Sequence, residues 1–144
     1  MKALRSFLAL SGSDMLFLAG CLATVATVRL GLTVLSYRRM RAWFPAPPVQ
    51  GVAAAGELRR VAWAVRNAAR LVPRASCLTQ ALAGQLILAR RGKSSQVRIG
   101  VARDEKGRFV AHAWLVSEDR IVLGGGEEDI RGFTPLADLD WKKP

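Results

Sequence analysis

One cysteine and one histidine stand where they could do chemistry together. Ser76-Cys77-Leu78-Thr79-Gln80-Ala81-Leu82 reads as a helix start, because Pro73 stops what precedes it and Ser76 is a good N-cap. Leu78, Ala81, Leu82, Gln85, Leu86 and Ala89 recur at helical spacing, Arg90 and Arg91 fill the last turn, and Gly92 suits the position beyond the C-cap. Cys77 therefore takes the first helical position. Unpaired backbone N–H groups and the helix dipole favour negative charge there, as a thiolate nucleophile requires. His112, the only histidine of the chain, lies in the apolar, strand-like run Phe109-Val110-Ala111-His112-Ala113-Trp114-Leu115-Val116. A helix-start cysteine with a strand histidine downstream is the layout of a nucleophile and its base, Cys77 attacking and His112 moving the proton. The competing reading makes Cys77 a small buried residue and His112 a satisfied core histidine.

The elements that must position this pair can be read from the chain in order. Residues 1–43 are the most apolar part. Ser11-Gly12-Ser13-Asp14 offers caps, Met15 to Val28 runs without a charge, Arg29 interrupts, and Arg38-Arg39-Met40-Arg41 closes the segment. A spanning helix needs about 20 apolar residues, and counting across Arg29 would place a guanidinium in hydrocarbon. The expectation is one long helix, or two, covering a face of a soluble domain, with Cys21 in its core; peripheral contact with an anionic lipid surface stays open. Phe44-Pro45-Ala46-Pro47-Pro48-Val49-Gln50-Gly51 is an extended connector. Residues 56–71 form a helix burying Leu58, Val61, Ala62, Val65, Ala68 and Ala69, with Trp63 at core or rim and the arginines elsewhere. After Gly92 the period changes to two. Val97–Ala102, Arg108–Val116 and Arg120–Gly125 read as an antiparallel meander with turns at Asp104–Gly107 and Ser117–Asp119. The tail from Ile130 is expected to be loop or short helix packed by Phe133, Leu136 and Trp141. The fold class is α+β: N-terminal helices on a core made of a nucleophile helix followed by an antiparallel sheet of three or more strands. The chain reads as one domain, residues 1–144, with an apolar helical part, 1–43, and a catalytic core, 52–144.

Whole-chain composition narrows the chemistry. Two cysteines, Cys21 and Cys77, give no disulfide framework, so a reducing, cytoplasmic setting is expected. With one histidine besides, no conventional zinc site is available and neither a metal nor another cofactor is expected. The net charge of +11 suggests an acidic partner. Nucleic acid is disfavoured, since the basic residues are scattered in pairs and no recognition motif accompanies them.

A Cys–His pair usually has a third group that orients the imidazole. Strand register places Gly124 or Gly125 opposite His112, where an acid would be expected. Glu127, just past the strand, is the preferred substitute, with Glu128 behind it; a backbone carbonyl, or no orienter, is the alternative. Asp119 lies at the far end of the hairpin, roughly 20 Å away. Trp114 shares the face of His112 and would shield it from water. An oxyanion hole would use the Cys77 N–H and a second donor, for which Asn67 and Gln80 are the polar candidates.

Taken together, the Cys77-Leu78 helix start, the Arg90-Arg91-Gly92 helix end, Val97-Arg98-Ile99-Gly100-Val101 and Ala111-His112-Ala113-Trp114, in this order behind apolar N-terminal helices, resemble the peptidase half of the split B protein of lasso peptide biosynthesis, in the transglutaminase-like superfamily. The resemblance implies a papain-like cysteine peptidase that removes the leader from a ribosomally made precursor, with Cys77 matching the nucleophile and His112 the base. The Asp that many members carry on the strand after the His would fall near Gly124-Gly125, so the third role is not matched there and Glu127 stays its candidate. The resemblance also implies three partners: the precursor's leader, a separate small leader-binding protein, and an ATP-using macrolactam cyclase. Two other readings stay open: acyl transfer to an amine on the same fold, as in a transglutaminase, and a non-catalytic basic scaffold or membrane-associated partner.

Overall fold

A computed structural model describes residues 9–141. Helix α1 (Gly12–Val34) is a single unbroken helix that carries Arg29 within it. Ser11 caps it, its Oγ accepting the Asp14 N–H at 3.2 Å. Helix α2 (Tyr37–Trp43) starts afresh from the Ser36 cap and buries Met40. The connector follows in extended form and leads to α3 (Ala55–Ala69), which ends two residues short of the expected 71 and buries Leu58, Val61, Ala62, Ala64, Val65 and Ala68. Helix α4 (Cys77–Arg90) begins where the Ser76 cap predicts, with Ser76 Oγ accepting the Thr79 N–H at 3.3 Å. Its far end closes as a Schellman motif: Lys93 N–H donates to Leu88 O at 2.9 Å and Gly92 N–H to Ala89 O at 2.9 Å.

The sheet comprises β1 (Gln96–Arg103), β2 (Phe109–Ser117), β3 (Arg120–Leu123) and β4 (Thr134–Leu139), in the order β3-β2-β1-β4 with every pair antiparallel. Between β3 and β4 lies the one-turn helix α5 (Glu127–Ile130). The meander is as expected except that β3 stops at Leu123, two residues before Gly125. The tail differs more. Part of it is a strand, β4, and Leu136 does not pack: the β1–β4 register shifts between Ile99 and Gly100, so Leu136 is the unmatched residue and stays exposed. Alternation along 134–139 is weak, and only the free edge of β1 makes this stretch a strand. Trp141 is buried as expected, its Nε1–H donating to Phe44 O at 2.8 Å and its ring edge-on to Tyr37.

Helices α1, α3 and α4 form one layer and the sheet the other, with α4 against β2 and α1 across α3 and α4. Phe17 of α1 sits between the guanidinium groups of Arg60, 4.2 Å from its ring, and Arg91, 4.8 Å away. Arg60 also pairs with Asp14 at 3.1 Å. The Ser11 hydroxyl and then Arg60 hold the Asp14 carboxyl below its ordinary value. The layers approach closely at Gly84. A Cβ there would lie 2.7 Å from Leu123 Cδ1 and 2.8 Å from Leu115 Cδ2, so α4 reaches the sheet only because this residue has no side chain. Gln85, wholly buried, donates from Nε2 to Leu139 O at 2.7 Å and ties α4 to β4.

Candidate active site

Cys77 sits half-buried at the first position of α4, where its N–H has no acceptor within the helix. His112 lies on β2 beyond the point where β3 ends, so the sheet leaves that stretch of β2 unpaired on one side. A cleft of about 540 Å³ opens there. Cys77, Gln80, His112 and Gly124-Gly125-Gly126 all line it, together with Arg66 from α3. Nucleophile and base candidates, 35 positions apart in sequence by their numbers 77 and 112, thus face one cavity. No hydrogen bond joins thiol to ring among the described residues, a common state of such pairs without substrate.

The orienting group is a carbonyl. His112 Nε2 lies 2.6 Å from Gly124 O. A carbonyl only accepts, so in this arrangement Nε2 carries the hydrogen and a neutral imidazole keeps the Nδ1 lone pair for a proton. Glu127, the preferred acid, is not that partner: it is exposed at the start of α5 and does not line the cleft. Glu128 is exposed beside it, and Asp119 sits in the β2–β3 turn at the other end of the hairpin. The acid engaged near His112 is Asp129. Its Oδ2 accepts the Gly126 N–H at 2.7 Å while its own N–H donates to Gly126 O at 3.1 Å, pinning the segment that presents the Gly124 carbonyl. Sequence offered one signal for it: an acid three residues beyond a helix-starting position.

Aromatic rings hold the imidazole on its other sides. Trp114 stacks on His112 with centroids 5.9 Å apart and planes 24° apart, as shared strand parity requires. Phe133 comes within 5.3 Å of the imidazole and 6.3 Å of Trp114. Sequence reading took Phe133 for tail packing, because nothing local relates it to His112. Gly124 is fixed in kind by this cluster. Its φ is +102°, and a Cβ would lie 2.5 Å from Trp114 Cβ and 2.7 Å from Trp114 Cα.

Of the two candidate second donors, the structure brings only Gln80 to the cleft, where its Nε2 reaches Ala75 O at 3.4 Å. Asn67 donates to Trp63 O within α3 and lines a separate apolar pocket against α1. Arg66, off the buried side of α3, has no local sequence signal for the site. Its Nε donates to Ala62 O at 3.1 Å, and its side chain supplies the cleft's positive wall.

The two thiols differ sharply. Cys21 is 2% exposed, and burial pushes its thiol up to about 11. Raising a thiol's pKa keeps it neutral, and the neutral form does not alkylate. Iodoacetamide at neutral pH is therefore expected to modify Cys77 and leave Cys21 untouched, read by peptide mass mapping. Cys21 should react only as the pH climbs toward 11, or on unfolding.

The helix-start cysteine, the strand histidine and the two-layer arrangement between them define a fold of the cysteine peptidase and acyltransferase type. Residues 22–138 match the transglutaminase-like superfamily, and the chain belongs to it. The match starts inside α1 and runs through nearly all of β4, so it takes in helical layer and sheet alike. No curated protein and no solved structure gave a match to the chain.

Proposed function

We propose that the protein is a cysteine peptidase that removes the leader from a ribosomally synthesised lasso peptide precursor. The observation that carries a hydrolytic reading is the single cleft shared by Cys77 and His112, with the imidazole held by the Gly124 carbonyl. The lasso assignment rests on the sequence resemblance. His112 Nδ1 takes the Cys77 proton and the sulfur attacks the carbonyl carbon of the leader–core amide. The oxyanion settles against the Cys77 N–H, with Gln80 as second donor. His112 returns its proton to the departing amine of the core peptide, and water then hydrolyses the thioester, regenerating the thiol. The freed amine is what an ATP-using cyclase needs to close a macrolactam. The leader would be presented by a separate small leader-binding protein in the cytoplasm, and the basic surface, Arg66 included, suits an acidic leader or partner.

The test is mass spectrometry of a lasso precursor incubated with the protein and the leader-binding partner, comparing wild type with Cys77→Ala. A cut at the leader–core junction that vanishes in the variant is the expected result. A cut that persists in Cys77→Ala removes Cys77 from the mechanism. Formation of a new amide to an added amine in place of the free core would assign the same site to acyl transfer. Folded protein that does neither would favour the scaffold reading.

A further inference from the structure

Helix α1 is largely apolar, Asp14, Arg29 and its threonines apart, yet only one side of it is packed. Leu18, Cys21, Val25 and Val28 face α3 and α4 and are at most 8% exposed. On the opposite side Leu16, Ala19, Ala23, Leu30 and Val34 fall within one stripe at helical spacing, and none of them is charged. Leu16 is 77%, Leu30 67% and Val34 76% exposed. From residue 16 to residue 34 the stripe is about 27 Å long at 1.5 Å per residue. The face is uncharged on an otherwise strongly basic protein, so its neighbours must say what covers it.

Three observations identify what covers it. A second copy is a poor occupant. A single helix stripe about 10 Å wide offers some 270 Å², against roughly 800 Å² per partner in a stable interface, and two chains of net charge +11 repel. The chain leaving α1 then turns into α2, whose exposed side carries Arg38, Arg39 and Trp43, the last 69% exposed. Basic and indole side chains next to an apolar helix are the combination that suits a lipid headgroup layer. Finally, an open groove of about 710 Å³ is walled by Arg38, Arg39, Arg41, Ala42 and Trp141, with no carboxylate among its described lining residues. That groove is complementary in sign to a phosphate-bearing headgroup and wide enough to admit one, though Arg41 also donates to Asp140 O at 3.1 Å.

We propose that the outward face of α1 lies in the plane of an anionic lipid surface, with the Arg38–Arg39–Arg41 groove holding headgroups and Trp43 at the interface. The helix does not cross: its inner face is committed to α3 and α4, and crossing would strip Leu18, Val25 and Val28 of those contacts. This surface is independent of the peptidase reading, since none of its residues lines the Cys77–His112 cleft.

The test is co-sedimentation of the full chain with phosphatidylcholine vesicles containing roughly a third phosphatidylglycerol, against phosphatidylcholine alone. Partitioning to the anionic vesicles is expected, falling with salt. Leu16→Glu with Leu30→Glu, and separately Arg38→Glu with Arg39→Glu, should each lower it by about tenfold or more. All four positions are exposed, and an unchanged thermal melt verifies that each variant folds. As a second readout, brominated acyl chains should quench Trp43, and Trp43→Phe should remove that quenching. Absence of partitioning, or partitioning unaffected by Leu16→Glu with Leu30→Glu, overturns the proposal. So does resistance to alkaline carbonate extraction, which would mean a spanning helix. A concentration-dependent dimer lost in Leu16→Glu with Leu30→Glu would give the face to a second copy instead.

Discussion

His112→Gln is expected to lower kcat/KM for leader cleavage by about a thousandfold while leaving the fold intact. Glutamine can place an amide N–H where Nε2 stands and so keep the hydrogen bond to Gly124 O. It has no basic nitrogen to take the Cys77 proton or to protonate the leaving amine. General acid–base catalysis alone contributes roughly a hundred- to ten-thousandfold, and in the proposed reaction one ring would perform both transfers. Iodoacetamide labelling of Cys77 should slow in the same variant. Loss of cleavage with unchanged labelling would show that His112 acts on the leaving group and not on the thiol. Activity within about twofold of wild type would exclude His112 as the base.

Gly124→Ala should be the most damaging single methyl in the cleft. The residue sits at φ +102°, and the new Cβ would fall 2.5 Å from Trp114 Cβ, within the covalent framework of a buried neighbour. Left-handed strain and overpacking each cost on the order of 1–3 kcal/mol, so a loss of about 2–6 kcal/mol and a fall in Tm of roughly 6–20 °C are expected by calorimetry. Relief would come by shifting residues 124–126 outward, which carries the carbonyl off His112. Cleavage should therefore fall by a hundredfold or more even well below the melting temperature, since small misplacements of catalytic groups are costly. Gly107→Ala is a control. Its φ is +76°, but nothing lies within 4 Å of a Cβ there, so it should lose stability and keep activity.

The parts of this site legible in sequence are those set by local rules. Ser76 and Pro73 located the start of α4 to the residue, and period-two alternation put Trp114 on the face of His112. That no acid stands at the end of β3 was also legible, but the expected pairing of a glycine with His112 was not met: β3 stops at Leu123 opposite Leu115, and Gly124 packs against Trp114. What replaced the acid was not legible, because a carbonyl has no side-chain signature. The β2–β3 register slips between Leu115 and Val116, leaving Val122 as an extra residue, and only that slip and the stop at Leu123 bring Gly124 O to the ring. Asp129 acts locally on Gly126, whereas Phe133 and Arg66 reach the site through contacts that depend on the whole sheet or on the α3–α4 packing. Strand β4 belongs to the same class, since its pairing partner lies more than thirty positions back along the chain.

The placement of β4 also orders events during synthesis. Sheet order runs against chain order at this edge: β1 lies between β2 and β4, and among the described strands β4 is made after the other three. Until residues 134–139 have left the ribosome, one edge of β1 has no hydrogen-bonding neighbour, and Gln85 Nε2 lacks the Leu139 carbonyl. The nascent chain therefore carries an open, adhesive strand edge until β4 caps it. Trp141 then closes a loop of 97 residues back to Phe44, a long-range contact of the kind that slows folding. Chains cut short before β4 should accordingly aggregate in proportion to the time that edge stays open, even though the segments bearing Cys77 and His112 are already complete.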